Sequence, residues 1–282
     1  MPMFPRTSLG GVSVSRMIVG TNWFLGFSHT SAAKDDFIKN FQTRNSIADI
    51  LQVFLKSGVD TVLGPVHPLL LEGVQEAEQR SGQKMTLILT PMFNVRPGGP
   101  ANEEPEPVIA QCKQMGATFC MPHQQVTDAL LDRTTRTIRG IEHISSLIRQ
   151  YEMVPGLSTH LPETVVFCDE NNYDIETYLQ IYNAAGFMMP IEVDWELHII
   201  LASKKPVTTI KPLAAGRLMP LVGLCFVWNT LRDIDLVTVG TTTPEEAREV
   251  IDLSMDFLER RQPATRLQYS RSKSVFNSIW KM

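Results

Sequence analysis

Three histidines stand just past predicted strands: His67 after the second, His123 after the fourth and His160 after the fifth. His29 lies in the long segment after the first strand, and His143 and His198 fall in helical stretches. Imidazole binds zinc, manganese, iron and nickel, and histidines converging from separate strands can build an open metal site. It also gives and takes protons near neutral pH. His67, His123 and His160 are therefore candidate ligands for a divalent metal (Zn, Mn, Fe or Ni) and candidate catalytic groups. Glu192 or Asp194 could add a carboxylate to such a site. The same imidazoles could instead hydrogen-bond a substrate, because ligands spread over separate strands leave no spacing motif. Lys211 ends the seventh strand among apolar residues, where burial could lower its pKa and allow a Schiff base. Trp23 and Phe24 read as an apolar pocket wall, Cys120 as core, and Arg217 as a residue that could meet a phosphate or carboxylate.

Positioning these groups requires a repeated unit. Apolar strands are predicted at 16–20, 59–63, 85–90, 117–121, 154–158, 177–182, 206–211 and 235–240, separated by helical stretches. In the helix predicted over 45–57, Ile47, Ile50, Leu51, Phe54 and Leu55 share one face at helical period. A second apolar face runs from Ile138 to Tyr151, and Pro190 and Pro244 fit first turns of helices. The strands lack a polar alternate face, as expected where both sides are covered. Eight strands alternating with eight helices predict an α/β fold, a single (β/α)8 TIM barrel over residues 1–282. An N-terminal β-hairpin is predicted over 5–16, where Gly10 and Gly11 supply the turn, and a C-terminal tail over 262–282. In that tail Val275, Phe276, Ile279 and Trp280 could form a short amphipathic helix, docked on the barrel wall or on a second copy in a homo-oligomer. The long loops at 21–44 and 91–105 lie on the side of the strand C-termini, where such barrels carry their sites.

The composition restricts the function. With 43% hydrophobic and 20% charged residues and a net charge of −4, the chain has no electrostatic footprint for nucleic acid or an anionic membrane. Its four cysteines form no C-x-x-C pair, which argues against a zinc ribbon or an iron–sulfur site. A cytoplasmic protein acting on a small molecule is expected, because the N-terminus does not read as a signal sequence and the most apolar stretch, 218–228, is too short to span a bilayer.

Several segments stand in the order of one known family. They are "LGGVSVSRMIVGTNWF" at the start, "GVDT" at 58–61, "GLSTHLPE" at 156–163, "QIYN" at 180–183, "IKPLAAGRL" at 210–218 and "VGTTTPEEAREVI" at 239–251. Taken together the chain resembles the aldo-keto reductase superfamily over nearly its whole length. The resemblance implies a nicotinamide cofactor, NAD(P), across the strand C-termini. Ser158 and Gln180 would hold the nicotinamide amide, the loop from Leu213 to Arg217 the pyrophosphate, and Gly240, Thr241 and Thr242 the adenosine phosphate. Basic residues for a 2′-phosphate are not evident, and Glu245 and Glu246 stand there instead, so NAD is expected over NADP.

The resemblance also implies a catalytic aspartate at Asp60 and a histidine at His123. The family's tyrosine and lysine positions fall on "GPVHP" and on Pro91, so the usual proton donor and its tuning cation are absent. His160 stands where relatives carry a histidine, and "KPL" relatives carry a lysine without Schiff-base chemistry. Three functions follow. One is a non-redox lyase, isomerase or hydrolase acting on a polar, sugar-like substrate through the strand-end histidines, with or without a metal. The second is an NAD-dependent oxidoreductase in which His67 replaces the tyrosine. The third is a nucleotide-binding protein without catalysis.

Overall fold

The computed structural model describes residues 3–93 and 104–263. The chain opens with the hairpin β1 (Arg6–Leu9) and β2 (Val12–Ser15), followed by β3 (Met17–Gly20), α1 (Ala32–Phe41), α2 (Arg44–Lys56), β4 (Thr61–Gly64) and α3 (Pro68–Ser81). Then come β5 (Thr86–Leu89), α4 (Glu106–Gln114), β6 (Phe119–Cys120), α5 (Gln124–Leu130) and a small ribbon, β7 (Leu131–Asp132) with β8 (Thr137–Ile138). Next are α6 (Ile141–Gln150), β9 (Val154–Pro155), β10 (Leu157–Ser158), α7 (Glu163–Asn171) and β11 (Tyr178–Ile181). The described chain closes with α8 (Val193–Ala202), β12 (Val207–Ile210), α9 (Pro220–Thr230), β13 (Leu236–Gly240) and α10 (Pro244–Leu258).

The main sheet runs β10-β11-β12-β13-β3-β4-β5-β6-β9, and every neighbouring pair is parallel. Its two end strands are consecutive in the chain, separated only by Gly156. They are two halves of the fifth strand, so the ring closes as a (β/α)8 barrel. The break has a local cause: Pro155 has no N–H to give, and a Cβ at Gly156 would lie 2.9 Å from Met121 Cγ. The predicted helix over 138–151 starts later, at Ile141. Gly140 takes a left-handed φ of 69° before it, and Ile138 pairs in the ribbon. Pro244 is the first residue of its helix as predicted, whereas Pro190 precedes α8, which begins at Val193.

Two cores hold the wall. The larger lies between strands and helices; α2 buries Ile47, Ala48, Ile50, Leu51, Phe54 and Leu55 there, starting from a capping box of Thr43 and Ser46. The smaller fills the barrel, where Leu9 and Val14 of the hairpin pack with Ile18, Leu63, Ile88, Phe119 and Leu236. The hairpin thus plugs one end, and Thr7 Oγ1 donates to the carbonyl of Ile234, just before β13 begins. That end holds the strand N-termini, which leaves the opposite mouth for a site. The tail from 264 and loop residues 94–103 lie outside the described residues, as does the amphipathic helix read there. No helix among the described residues is long and apolar enough to cross a membrane.

Candidate functional site

A cavity of about 700 Å³ opens at the strand C-termini. Its floor is apolar: Leu63, Leu179, Ile210 and Val239 come from four different strands. Trp23 and Phe27 line it from the loop after β3. That loop makes helix-like bonds, Leu25 N–H to Thr21 O and Phe27 N–H to Asn22 O, so residues four apart share a side. Phe27 therefore joins Trp23 in the wall, and Phe24, expected there, turns into the core with no exposed surface.

The polar groups come from the strand ends. His123 follows β6, Ser158 and His160 end or follow β10, and Lys211 follows β12; all line the cavity. His29 reaches it from the first loop, at a left-handed φ of 57°. The loop is tied down beside it, because Ser28 donates to Asp35 Oδ1 through its N–H at 2.8 Å and its hydroxyl at 2.5 Å. His160 is anchored through its backbone: its N–H lies 3.3 Å from both oxygens of Asp128, which also accepts from Thr159 Oγ1. Burial raises the Asp128 carboxyl to about 6. Asp35 and Asp128 are supports the sequence did not single out, since neither belongs to a motif.

Burial, and then the positive charge of Lys211, pushes the His123 and His29 imidazoles below their ordinary value. His160 falls to about 4 for the same reasons, helped by its histidine neighbours. All three rings are thus neutral at pH 7. The His123 Nδ1 accepts from Gln125 N–H at 3.3 Å, which assigns its ring proton to Nε2 as a donor. Lys211 has the opposite state. Burial lowers it to about 8, which leaves it mostly protonated at pH 7. Its amine makes no hydrogen bond or ion pair with any described residue, and the residue sits at a left-handed φ of 60°. Among its described residues, the cavity therefore holds an unpaired, proton-rich amine beside neutral imidazoles.

Two expected catalytic residues stand elsewhere. Asp60 immediately precedes β4, at the strand N-termini, and pairs with Arg6 of the hairpin at 2.8 Å. Four residues of β4 separate it from the mouth, so it cannot tune a group there. His67 does not line the cavity; it is the N-cap residue of α3, with Nδ1 buried and unbonded. Pro68 in the first turn of α3 places the preceding residue at the helix boundary. The metal triad His67, His123 and His160 consequently does not assemble. Glu192 and Asp194 are exposed at the start of α8 and do not line the cavity. Among the described residues no group of three or more His, Cys, Asp or Glu is placed to hold a metal.

Of the residues expected to bind cofactor, Ser158, Leu213, Arg217, Gly240 and Thr241 line this same cavity. Gln180 is buried behind it with Nε2 unpartnered, and Thr241 Oγ1 is likewise buried without a partner. Arg217 stacks on Phe187, its guanidinium carbon 3.9 Å from the ring centre. Thr242 does not line the cavity; its N–H and hydroxyl bind Glu246 at 2.6 and 2.8 Å.

Several solved structures share this architecture. A Pseudomonas aeruginosa structure ascribed to the aldo-keto reductases superposes with a TM-score of 0.62 at 14% identity, covering 90% of this chain and 95% of that one. An aldo/keto reductase of Brucella melitensis gives 0.59 at 12% identity, covering 94% and 95%. The chain has the aldo-keto reductase fold. An aldo/keto reductase of Klebsiella pneumoniae, in complex with NADP and acetate, gives 0.52 at 13% identity, covering 94% and 98%. No family model matches the sequence, and no curated protein matches it.

Proposed function

We propose that the chain is a divergent aldo-keto reductase that exchanges hydride between a nicotinamide dinucleotide and a small polar, sugar-like carbonyl or hydroxyl compound. One observation carries this reading: the strand-end groups His123, His160 and Lys211 share a single cavity with Ser158, Leu213, Arg217, Gly240 and Thr241. The residues fit a dinucleotide. Thr241, which lines the cavity, has a buried Oγ1 that the protein leaves unsatisfied, which is costly unless a ligand completes it. Arg217 supplies a cation for a diphosphate, in the loop that follows β12.

When bound, the cofactor supplies the hydride acceptor or donor. The chain's own residues manage the oxygen and its proton. His123 Nε2–H donates to the substrate oxygen and holds it. Lys211 gives that oxygen a proton as a carbonyl becomes an alcohol, and its neutral amine takes the proton back in the reverse direction. A tyrosine, with an ordinary pKa near 10, needs strong tuning for this task, whereas an amine held at about 8 is already near the working pH. His67, outside the cavity, has no part in it. Trp23, Phe27, Leu63 and Ile210 keep water from the reacting oxygen.

Turnover of small hydroxyaldehydes, hydroxyketones and polyols with NADH or NAD tests the reading in wild type, Lys211→Met and His123→Gln. Loss of a positioned acid or base lowers kcat by roughly 10²–10⁴-fold. Unchanged turnover in Lys211→Met would remove the assignment.

A non-redox reaction at the same residues is the second reading, and the unpaired Lys211 amine favours it. That amine could add to a substrate carbonyl and lose water to form an imine. Borohydride treatment with a carbonyl substrate would then leave a stable mass increase on the Lys211 peptide. Redox turnover without such a mass increase decides for the first reading.

A further inference from the structure

Among the described residues, no lysine or arginine of α10 lines the nucleotide end of the cavity, at the start of that helix. Glu246 and Glu249 line it one turn apart. Arg248 on the same helix pairs with Glu245 at 3.1 Å, and Arg217 is stacked on Phe187. A loop leading into a helix ordinarily offers free N–H groups to an anion. Here two of those donors are already used. Thr242 gives its N–H and hydroxyl to Glu246 Oε2, and the Glu246 N–H goes to Thr243 Oγ1 at 3.2 Å. The protein's own carboxylate sits where a phosphate would bind. Beside it, Thr241 lines the cavity, is 3% exposed, and has a hydroxyl with no partner. Glu246 Oε1 also makes no hydrogen bond with any described residue.

We infer that Glu246 makes this end of the cavity a site for a free ribose hydroxyl rather than a phosphate ester, so that the chain takes NAD and refuses NADP. The inference rests on the cofactor reading above. A phosphate monoester brings about −1.5 to −2 charges at pH 7. Those charges would face two carboxylates and find the Thr242 donors taken. A ribose diol instead offers two O–H donors, which suit an acceptor-only carboxylate with one oxygen unengaged. The Thr241 hydroxyl can accept or donate to the same diol. An acidic residue on the ribose hydroxyl plays this part in dinucleotide folds of a different architecture.

Titrations of the full chain with NADH and with NADPH, followed by calorimetry, test this in wild type, Glu246→Gln and Glu246→Arg. Circular dichroism checks that each variant is folded. Wild type should bind NADH roughly tenfold or more tighter than NADPH. Glu246→Gln, which keeps an oxygen acceptor but removes the charge, should narrow that ratio. Glu246→Arg should reverse it. Wild type that binds NADPH as tightly as NADH, or folded variants that keep the wild-type ratio, would overturn the role of Glu246 while leaving the cofactor reading intact. Failure of wild type to bind either dinucleotide would overturn both.

Discussion

The Arg6 guanidinium and the Asp60 carboxylate meet at 2.8 Å, across the joint between the hairpin and β4. This pair ties the plug to the barrel wall at the end away from the cavity. Both side chains are about a third exposed, which limits what the pair contributes to about 0.2–1 kcal/mol. Asp60→Asn should lower Tm slightly and leave the pH dependence of turnover as it was. A kcat loss of roughly tenfold or more, with normal folding, would show that Asp60 acts on the site after all.

His67 occupies the N-cap of α3 at φ −145°, ψ 127°, the extended geometry of a capping residue, yet forms no side-chain cap. Aspartate there can accept from the first free N–H groups and also complements the helix dipole. His67→Asp should stabilise the protein by about 0.5–1 kcal/mol in chemical denaturation, with turnover unaffected. A large loss of turnover would put His67 back among the catalytic groups.

Lys211 is held well below its ordinary 10.5, at about 8, by burial. The unfolded chain therefore binds more protons than the folded one between about pH 8 and 10.5, so stability rises with pH across that window. Below it, the folded protein carries the cost of a buried ammonium. Lys211→Met should consequently be more stable than wild type at pH 7, by an amount of order 1–3 kcal/mol. The difference should shrink as pH rises toward 10.5. Equal stability of the two proteins at pH 7 would mean that the amine is well solvated in solution.

The barrel was legible because each strand is an apolar run with a helix-period stretch after it. Those runs place Ser158, Lys211 and Gly240 at strand ends with no knowledge of packing. The site was legible only to that depth. Asp60 and Lys211 each adjoin a strand, but one precedes β4 and the other follows β12, and this puts them at opposite ends of the barrel. A four-residue strand rises about 13 Å, so a motif match without strand limits could not tell those ends apart. His67 and His29 are both loop histidines. Which one reaches the cavity depends on the Ser28–Asp35 bonds and on the α3 boundary at Pro68. The Thr242–Glu246 contact depends on a side-chain rotamer across one helical turn, and the spacing alone would equally allow Glu246 to face solvent.

The central claim is that Lys211 moves the proton at the reacting oxygen, and the pH dependence of kcat for carbonyl reduction, at saturating NADH, tests it most directly. A protonated amine is required in that direction. The wild-type rate should fall as pH rises through about 8, and Lys211→Met should show a low rate without that limb. A wild-type profile that stays flat through this range, or a variant that keeps both the rate and the limb, would contradict the account.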